Sequence, residues 1–459
     1  MKIFKSRFFH AMGTRFNSKE NIQHLEAEEN KQGFVKFCNS KMNRRKFVDF
    51  GLKSLAVSTP LIGAGVSVSM ANSLSEPLSE KPGLTTLADP GKLFVMDGHI
   101  HMMSRQLLQG LDIGNRYPDG TVDLPRIIEG GLTALFFSVY TPEPYYPGRH
   151  EVKNTFRVVQ LALEQIEKNH QFIELALTAS EIERINKKGK VAAFLDLEGG
   201  FDLDGDLNIL KALYRLGLRS VQLTAHNENN GFIDSCYGKP AWGGINDHGR
   251  KVISEMNRLG MLINVAHASD DAILQSVEAS NHPIAYTHGG FRGIVDHVRC
   301  ISDECAKAIA AKGGVVGLQF GNTFNNPKYV EWVKSNPAAK SKPPFAANFS
   351  ANPSIAEIDE QEAKTLPFVY KGVVPEEYVM GVDQLARVID YGVRLIGEDH
   401  VAFGSDFDGG VPLPKQMKDV SDYPELIKAL RDLGYSDERV RKICGLNWLR
   451  VIRRVTEGA

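Results

Sequence analysis

From Lys92 onward, the chain alternates short apolar runs with segments of helical periodicity. The runs are apolar throughout, which is typical of parallel strands that are buried on both faces. Eight strand–helix units predict an α/β fold, a closed (β/α)8 barrel of the TIM type. A doubly wound open sheet is the alternative, but no Gly-x-Gly-x-x-Gly sequence follows the first run. The apolar runs are Leu93–Met96, Leu132–Val139, Val191–Leu197, Ser220–Thr224, Met261–Ala266, Pro283–Thr287, Gly314–Phe320 and Val401–Gly404.

The link between the seventh and eighth predicted strands is unusually long. Residues 325–375 are rich in Pro, Asn, Lys and Ala. Connections of this length inside a compact domain are commonly functional insertions. We therefore predict a long inserted loop over one face of the barrel.

The N-terminal part of the chain lacks the barrel pattern. Arg44 and Arg45 stand ahead of Phe47, as in a bacterial twin-arginine export signal. An uncharged stretch over residues 54–75 follows, and Ser and Gly make it only moderately apolar. This stretch predicts a signal peptide that is cleaved after a small residue. The alternative is an anchor to the inner membrane over residues 52–72.

These features divide the chain into four parts. The export signal predicts a periplasmic protein and the export machinery as a partner. Met42 is the expected translation start, because twin-arginine signals begin close to their paired arginines. The parts are an upstream polar extension (1–41), a twin-arginine signal peptide (42–71), a linker (72–91) and the barrel domain (92–459).

Composition and charge narrow the classes of function. The chain has 54 Lys and Arg against 55 Asp and Glu, so its net charge is −1. A general nucleic-acid-binding protein needs a basic surface, so we expect no nucleic-acid partner. The 5 Cys residues are too few for a disulfide framework in a chain of 459 residues. The chain is long enough for a large core, either as about two ordinary domains or as one barrel of roughly 250 residues or more with insertions.

Six of the eight predicted strands end on a His, Glu or Asp. In a barrel these carboxyl ends meet at one mouth, where the active sites of this fold lie. A single such residue is more often structural, but a whole set at one rim has no purely structural explanation. Imidazole and carboxylate are ligands of Zn²⁺ and similar ions. No Cys belongs to this set of residues, which argues against a structural zinc site. The residues are His99, His101, Glu198, His226, His267, His288 and Asp406.

Several motifs follow one another in a specific order along the predicted barrel. They are Asp97-Gly98-His99, the Glu198 segment, Leu223–Asn227, Asn257–Gly260 before His267–Ser269, His288, Arg299, Gly404–Gly409 and Asn447–Val451. In order and spacing, residues 92–456 resemble the membrane (renal) dipeptidase family. This family comprises zinc peptidases of the amidohydrolase superfamily.

The resemblance implies two divalent metal ions, with zinc as the metal of the family. His99 matches a ligand of the first metal, and Glu198 matches a carboxylate that bridges both metals. His267 and His288 match ligands of the second metal. The family usually has Asp at the position of His101, but the wider superfamily uses His-x-His. Since both rings lie on one strand face, we expect His101 to be a ligand as well.

Three further residues match the family's substrate-binding and catalytic positions. His226 matches a histidine that steadies the substrate carbonyl oxygen, and Arg299 matches an arginine that holds the substrate carboxylate. Asp406 matches the acid/base aspartate. Without the resemblance, a surface salt bridge would be the simpler interpretation of Arg299.

The expected function is metal-dependent hydrolysis of dipeptides by a metal-bridging hydroxide in the periplasm. Hydrolysis of another amide, such as an N-acyl amino acid or a lactam, is the first alternative. A non-catalytic binding protein with a decayed site is the second, and only His101 supports it. The expected ligand is a small peptide. Family members are often dimers, so a homodimer is implied by the resemblance alone.

Overall fold

The computed structural model describes most of the barrel domain and none of the chain before it. The described residues are 93–102, 110–118, 120–141, 149–199, 204–224, 228–337, 353–365 and 374–458. The predicted extension, signal peptide and linker lie outside these ranges, as does His226. Within the described ranges, no helix is long and apolar enough to cross a membrane.

A closed parallel barrel forms the centre of the domain. Eight strands pair in the order β2-β1-β9-β8-β7-β6-β5-β4, and β2 pairs with β4 to close the ring. Every pair is parallel, so the predicted TIM-type α/β fold is confirmed. The described strands are β1 (Met96–Ile100), β2 (Ala134–Tyr140), β3 (Ile173–Leu175), β4 (Val191–Glu198), β5 (Ser220–Gln222), β6 (Leu262–Asn264), β7 (Ala285–Tyr286), β8 (Val315–Leu318) and β9 (Val401–Phe403).

One strand was not predicted from the sequence. β3 pairs with the beginning of β4, where Ile173 lies beside Val191, and it takes no place in the closed ring. Its three residues include Glu174, which is paired with Lys190 at 2.7 Å. A strand of three residues with Glu174 at its centre gives no apolar run that could be recognised.

Helices connect the strands and cover the outside of the barrel. Side-chain caps begin many of them, as Ser269, Ser302 and Asn246 each accept a hydrogen bond from a backbone N–H of the first turn. The helices are α1 (Leu124–Glu129), α2 (Arg149–Lys168), α3 (Ala179–Lys187), α4 (Leu207–Arg215), α5 (Asp247–Leu259), α6 (Asp270–Ala279), α7 (Asp303–Ala311), α8 (Asn322–Asn325), α9 (Pro327–Ser335), α10 (Ile355–Thr365), α11 (Val382–Ile396), α12 (Tyr423–Asp432), α13 (Asp437–Arg441) and α14 (Asn447–Thr456). Short 3₁₀ turns lie at Glu376–Tyr378 and Val420–Asp422, and a π-helical turn at Lys442–Leu446 joins α13 to α14.

The described part of the predicted inserted loop is largely helical. It contains α9 and α10. Asn326 caps α9 through the N–H of Tyr329, and Pro327 occupies the first helical position, where its missing N–H is tolerated. The sequence signals that suggested a loop are therefore, at this point, the signals of a helix start.

An apolar floor closes the amino-terminal end of the barrel. Its members come from alternate positions of neighbouring strands, so they face the barrel interior. Trp448 of α14 lies among them, and its indole N–H donates to the carbonyl of Phe403 at 2.8 Å. A Cβ atom on Gly98 would lie 2.3 Å from the Trp448 ring, so this position has no room for a side chain. The floor consists of Met96, Ala134, Phe136, Ala192, Phe194, Leu262, Ala285, Val315, Ala402 and Trp448.

We predict that Trp448→Ala destabilises the domain by about 3–5 kcal/mol, because it removes a fully buried ring and leaves a cavity. Chemical denaturation of the metal-loaded protein measures the change. Trp242→Ala is the matched control and should cost much less, since Trp242 is 45% exposed. Equal losses in the two variants would contradict the assignment of Trp448 to the floor.

Candidate metal centre

The first strand brings two histidines into the barrel mouth. β1 extends to Ile100, so His99 lies within the strand and not beyond its end as the apolar run suggested. The pairing of β1 with β2 shifts register between Asp97 and Ile100. Asp97 accepts hydrogen bonds from the N–H groups of His99 (2.9 Å) and Ser405 (3.0 Å). This buried carboxylate therefore fixes the irregular backbone that directs His99, a role that sequence analysis did not assign.

Glu198, at the end of β4, divides its two oxygens between two pairs of imidazoles. Oε2 lies 3.1 Å from Nε2 of His99 and 3.2 Å from Nε2 of His101. Oε1 lies 3.1 Å from Nε2 of His267 and 3.3 Å from Nε2 of His288. All five side chains are buried. A carboxylate with one oxygen toward each pair has the arrangement of a bridging ligand.

Two triads of this centre can each hold a metal ion. One contains His99, His101 and Asp406, and the other contains His99, Glu198 and His288. The Nε2 atoms of His99 and His101 are 3.0 Å apart, and those of His267 and His288 are 3.2 Å apart. Four imidazoles that turn the same nitrogen toward two carboxylates form a donor set that suits divalent ions such as zinc. The residues thus fit a binuclear metal site.

Asp406 lies at this centre, as its sequence position predicted. Its Oδ1 is 3.0 Å from Nε2 of His101, and Gln319 donates to its Oδ2 at 2.7 Å. One oxygen of this carboxylate therefore faces His101, and the other is held by Gln319. Gln319 was not identified from the sequence, because it directly follows β8, whose end carries no ionisable residue.

Strained backbone surrounds the site. His267, Asp406 and Asp408 have φ values of 63°, 67° and 58°, and they are the non-glycine residues with positive φ in the described part of the chain. Such conformations cost about 1–3 kcal/mol each and persist only where neighbours hold them. For Asp408 the neighbour is Thr121, whose N–H and hydroxyl both donate to Oδ1 at 2.8 Å.

A second layer of polar side chains orients the imidazoles. The Ser138 hydroxyl lies 3.0 Å from Nδ1 of His99, and the Thr287 hydroxyl lies 3.1 Å from Nδ1 of His288. Asn264 donates to Thr287 at 2.8 Å. A partner at Nδ1 fixes the tautomer that presents Nε2 to a metal. These residues lie deeper in the barrel than the motifs, so their role was not evident from the sequence.

The charges of the centre are strongly coupled. Burial alone would raise the pKa of Glu198, but His99 and His101 hold it well below its usual value. Burial alone would lower the pKa values of the two histidines, but Glu198 above all raises them, to about 9 for His99 and about 10 for His101. Burial, together with the charges of His99 and Arg299, places the pKa of His288 well below its usual value. The metal-free centre therefore carries protons on His99 and His101 at neutral pH.

Arg299 is buried beside the centre rather than exposed on the surface. Its side chain is among the largest fully buried side chains, and Nη1 donates to the Tyr286 hydroxyl at 2.7 Å. The Tyr286 hydroxyl in turn donates to the carbonyl of Arg299 at 2.6 Å. Nη2 has no hydrogen-bond partner in the described part of the chain. The surface salt bridge that we considered from the sequence is therefore not formed by the described residues.

Residues 91–459 match the model of the family described as membrane dipeptidase, peptidase family M19. The chain is 30% identical over 349 residues to dipeptidase verJ of Clonostachys rogersoniana, covering 73% of this chain and 76% of that protein. It is 28% identical over 348 residues to dipeptidase tcpJ of Claviceps purpurea, covering 74% of this chain and 70% of that protein. The crystal structure of the probable dipeptidase PvdM from Pseudomonas aeruginosa superimposes with a TM-score of 0.65 at 23% identity, covering 80% of this chain and 96% of that chain. This last similarity concerns the fold.

We predict that metal binding at pH 7 releases about two protons, because metal ions displace those on His99 and His101. Calorimetric titration of the metal-free protein with Zn²⁺, in buffers of different ionisation enthalpy, measures this number. Apparent affinity should rise with pH until about pH 10, where His101 also loses its proton. Above that pH the release should fall toward zero.

The same pKa values set the stability of the metal-free protein. The pKa values of His99 and His101 in the folded state lie above the unfolded value of about 6.5. Their contribution to the free energy of unfolding is therefore fully present below about pH 6.5. It is lost as the pH rises through about 9 to 10. A metal-free protein that gained stability between pH 7 and pH 10 would contradict this charge assignment.

Proposed function

The chain belongs to the membrane dipeptidase family, peptidase family M19, and from this premise we propose a zinc dipeptidase that acts in the periplasm on peptides with a free carboxylate. The metal-dependent dipeptidase activity is that of the family. The observation that carries the proposal for this chain is the division of Glu198 between two imidazole pairs.

Zinc is the metal that the donor set favours. The first pair consists of His99 and His101, so nitrogen stands where the family usually has a carboxylate. A nitrogen-rich set suits Zn²⁺, Co²⁺ or Ni²⁺ better than the harder Mn²⁺ or Mg²⁺. Bound ions of this kind supply Lewis acidity and a water-derived nucleophile at neutral pH.

Asp406 is the proposed acid/base residue. Gln319 engages Oδ2, so Oδ1 is the atom that would accept a proton from the attacking water and return it to the leaving amine. The positive φ of Asp406 is consistent with a side chain that is held in one direction at the expense of backbone strain.

Arg299 is the proposed anchor for the substrate carboxylate. Nη1 of its buried guanidinium donates to the Tyr286 hydroxyl, whereas Nη2 has no hydrogen-bond partner among the described residues. A second charge-assisted bond to a carboxylate oxygen would complete its hydrogen bonding. We propose that His226 binds the carbonyl oxygen of the scissile bond. This assignment rests only on the position of His226 in the sequence motif.

The location of the enzyme rests on the N-terminal sequence. We propose export through the twin-arginine signal at Arg44 and Arg45, with cleavage near Ala71. This route carries folded proteins and so allows the metal centre to form before export. The insertion between the last two barrel strands, which includes α9 and α10, is proposed to shape the mouth around the substrate.

We predict that the zinc-loaded protein hydrolyses dipeptides and is inactive toward their C-terminal amides. Arg299→Lys keeps the charge but loses the planar, forked geometry, so kcat/KM should fall by about 10- to 100-fold. Release of amino acids from a panel of L,L and L,D dipeptides measures the activity.

Arg292→Lys is the matched control for this prediction. Arg292 lies on the same loop, but it pairs with Asp270 at 2.5 Å and is partly exposed, so its replacement should change kcat/KM little. Equal turnover of free and amidated peptides would move the function to another amide hydrolase. Full activity of Arg299→Lys would remove Arg299 from substrate recognition.

We predict that replacing Arg44 and Arg45 by Lys leaves the unprocessed chain in the cytoplasm. Fractionation of cells that express each form, followed by N-terminal sequencing, tests this. A mature N-terminus upstream of Met42, or unchanged export of the double variant, would contradict the signal. An uncleaved chain in the membrane fraction would support the anchor over residues 52–72 instead.

A further inference from the structure

β4 carries a second acidic residue beneath the metal centre. Asp196 precedes Glu198 by two positions, so both side chains point from the same face of the strand into the barrel. Glu198 reaches the centre, while Asp196 lies one layer deeper and has no exposed surface. Neither the metal triads nor the proposed mechanism uses it.

The surroundings of Asp196 contain one positive partner. Its Oδ2 lies 3.6 Å from Nδ1 of His99, on the side opposite to the nitrogen that faces Glu198. Neither of its oxygens makes a hydrogen bond within the described part of the chain. Ser220, which lies beside it on β5, has no hydrogen bond from its hydroxyl either.

A buried carboxylate without hydrogen bonds is costly unless a cation compensates for it. Among the described residues, His99 is the only ion-pair partner of Asp196. Ser138 already satisfies Nδ1 of His99 at 3.0 Å and is sufficient to fix the tautomer. The role of Asp196 must therefore come from its charge and not only from its hydrogen-bonding capacity.

We propose that Asp196 is a positioning residue for the first metal ion, an inference that rests on the metal centre of the proposed function. Its Oδ2, 3.6 Å from Nδ1 of His99, places a negative charge behind the imidazole, while the Ser138 hydroxyl at Nδ1 fixes the tautomer that presents Nε2 to the metal. Its negative charge strengthens His99 as a ligand and offsets part of the positive charge of the two ions. This charge matters here because His101, a neutral ligand, stands where the family usually has Asp.

The test is the isosteric variant Asp196→Asn, studied by metal binding without substrate. Metal-free protein is titrated with Zn²⁺ against a chromophoric chelator. Loss of the carboxylate should weaken the first site by about 10- to 100-fold, the usual effect of removing a partner of a metal-bound histidine. The second site should change little, since Glu198, His267 and His288 are intact. When Co²⁺ is used in place of Zn²⁺, the weakened first site should be visible as a change in the absorption spectrum of one of the two Co²⁺ ions.

The stability of the metal-free variant separates positioning from a structural role. Because Asp196 makes no hydrogen bond, Asn should leave the melting temperature of the metal-free protein unchanged or raise it. Asp408→Asn is the matched control: it alters another buried carboxylate at the rim, bound to Thr121, and should leave both metal affinities unchanged. Ser138→Ala should weaken the first site less than Asp196→Asn, because it removes no charge.

Three results would overturn the inference. One is unchanged affinity at both sites in Asp196→Asn, and another is a lower melting temperature of that variant without loss of affinity. If the variant does not fold, the crystal structure of the native zinc-loaded protein decides. A distance from Asp196 Oδ2 to His99 Nδ1 within ion-pair range, about 4 Å, supports the role, and a longer one refutes it. A native protein that binds no metal would instead contradict the proposed function itself.

Discussion

Glu198 is the residue on which the arrangement of the barrel mouth depends. Its charge is buried, and each of its oxygens lies about 3 Å from two imidazole nitrogens. Without cations, such a carboxylate would lose its hydration without adequate compensation. In the metal-free protein, protons on His99 and His101 supply the cations. Metal ions replace those protons, so folding, protonation and metal binding are linked through one side chain.

The rigid frame beneath the centre allows this concentration of charge. The barrel interior has an apolar floor around Trp448 at one end and a polar layer above it, in which Ser138 and Thr287 contact the Nδ1 atoms of two histidines. The backbone strain at His267 and Asp406 is concentrated at the opposite end. Strain at the mouth is tolerated because the floor and the closed ring of strands, which have no strain of this kind, hold the framework.

The sequence was sufficient to predict the barrel and the metal centre for a definite physical reason. Parallel strands buried on both faces give continuous apolar runs, and the ionisable residue that ends such a run must lie at the common mouth. The same reasoning placed the end of β1 too early, because Asp97 and His99 are polar although they lie within the strand. It missed β3, a strand of only three residues that pairs with β4 outside the ring.

Contacts between layers were also inaccessible from the sequence. The alternation of side chains shows which face a residue takes, but it does not show how deep in the barrel the residue lies or which neighbour it meets. Ser138, Gln319 and Asp196 are therefore ordinary in the sequence, and only the packing of different strands reveals their contacts. Arg299 gave the opposite difficulty, since a lone arginine is usually exposed and only the resemblance suggested otherwise.

The energetic cost of the centre also bears on whether the site has decayed. Four buried histidines and three buried carboxylates, Asp196, Glu198 and Asp406, converge in one small volume. Replacing buried charged groups with well-packed apolar residues is often neutral or stabilising, so a chain released from metal binding would tend to lose them. Here they remain, together with the strained backbone and the polar layer that supports them. Such an arrangement lowers stability unless metal binding repays it, so its presence argues for a functioning metal centre. We therefore propose that the replacement of a carboxylate by His101 is a change of ligand within that centre and not a sign of its loss.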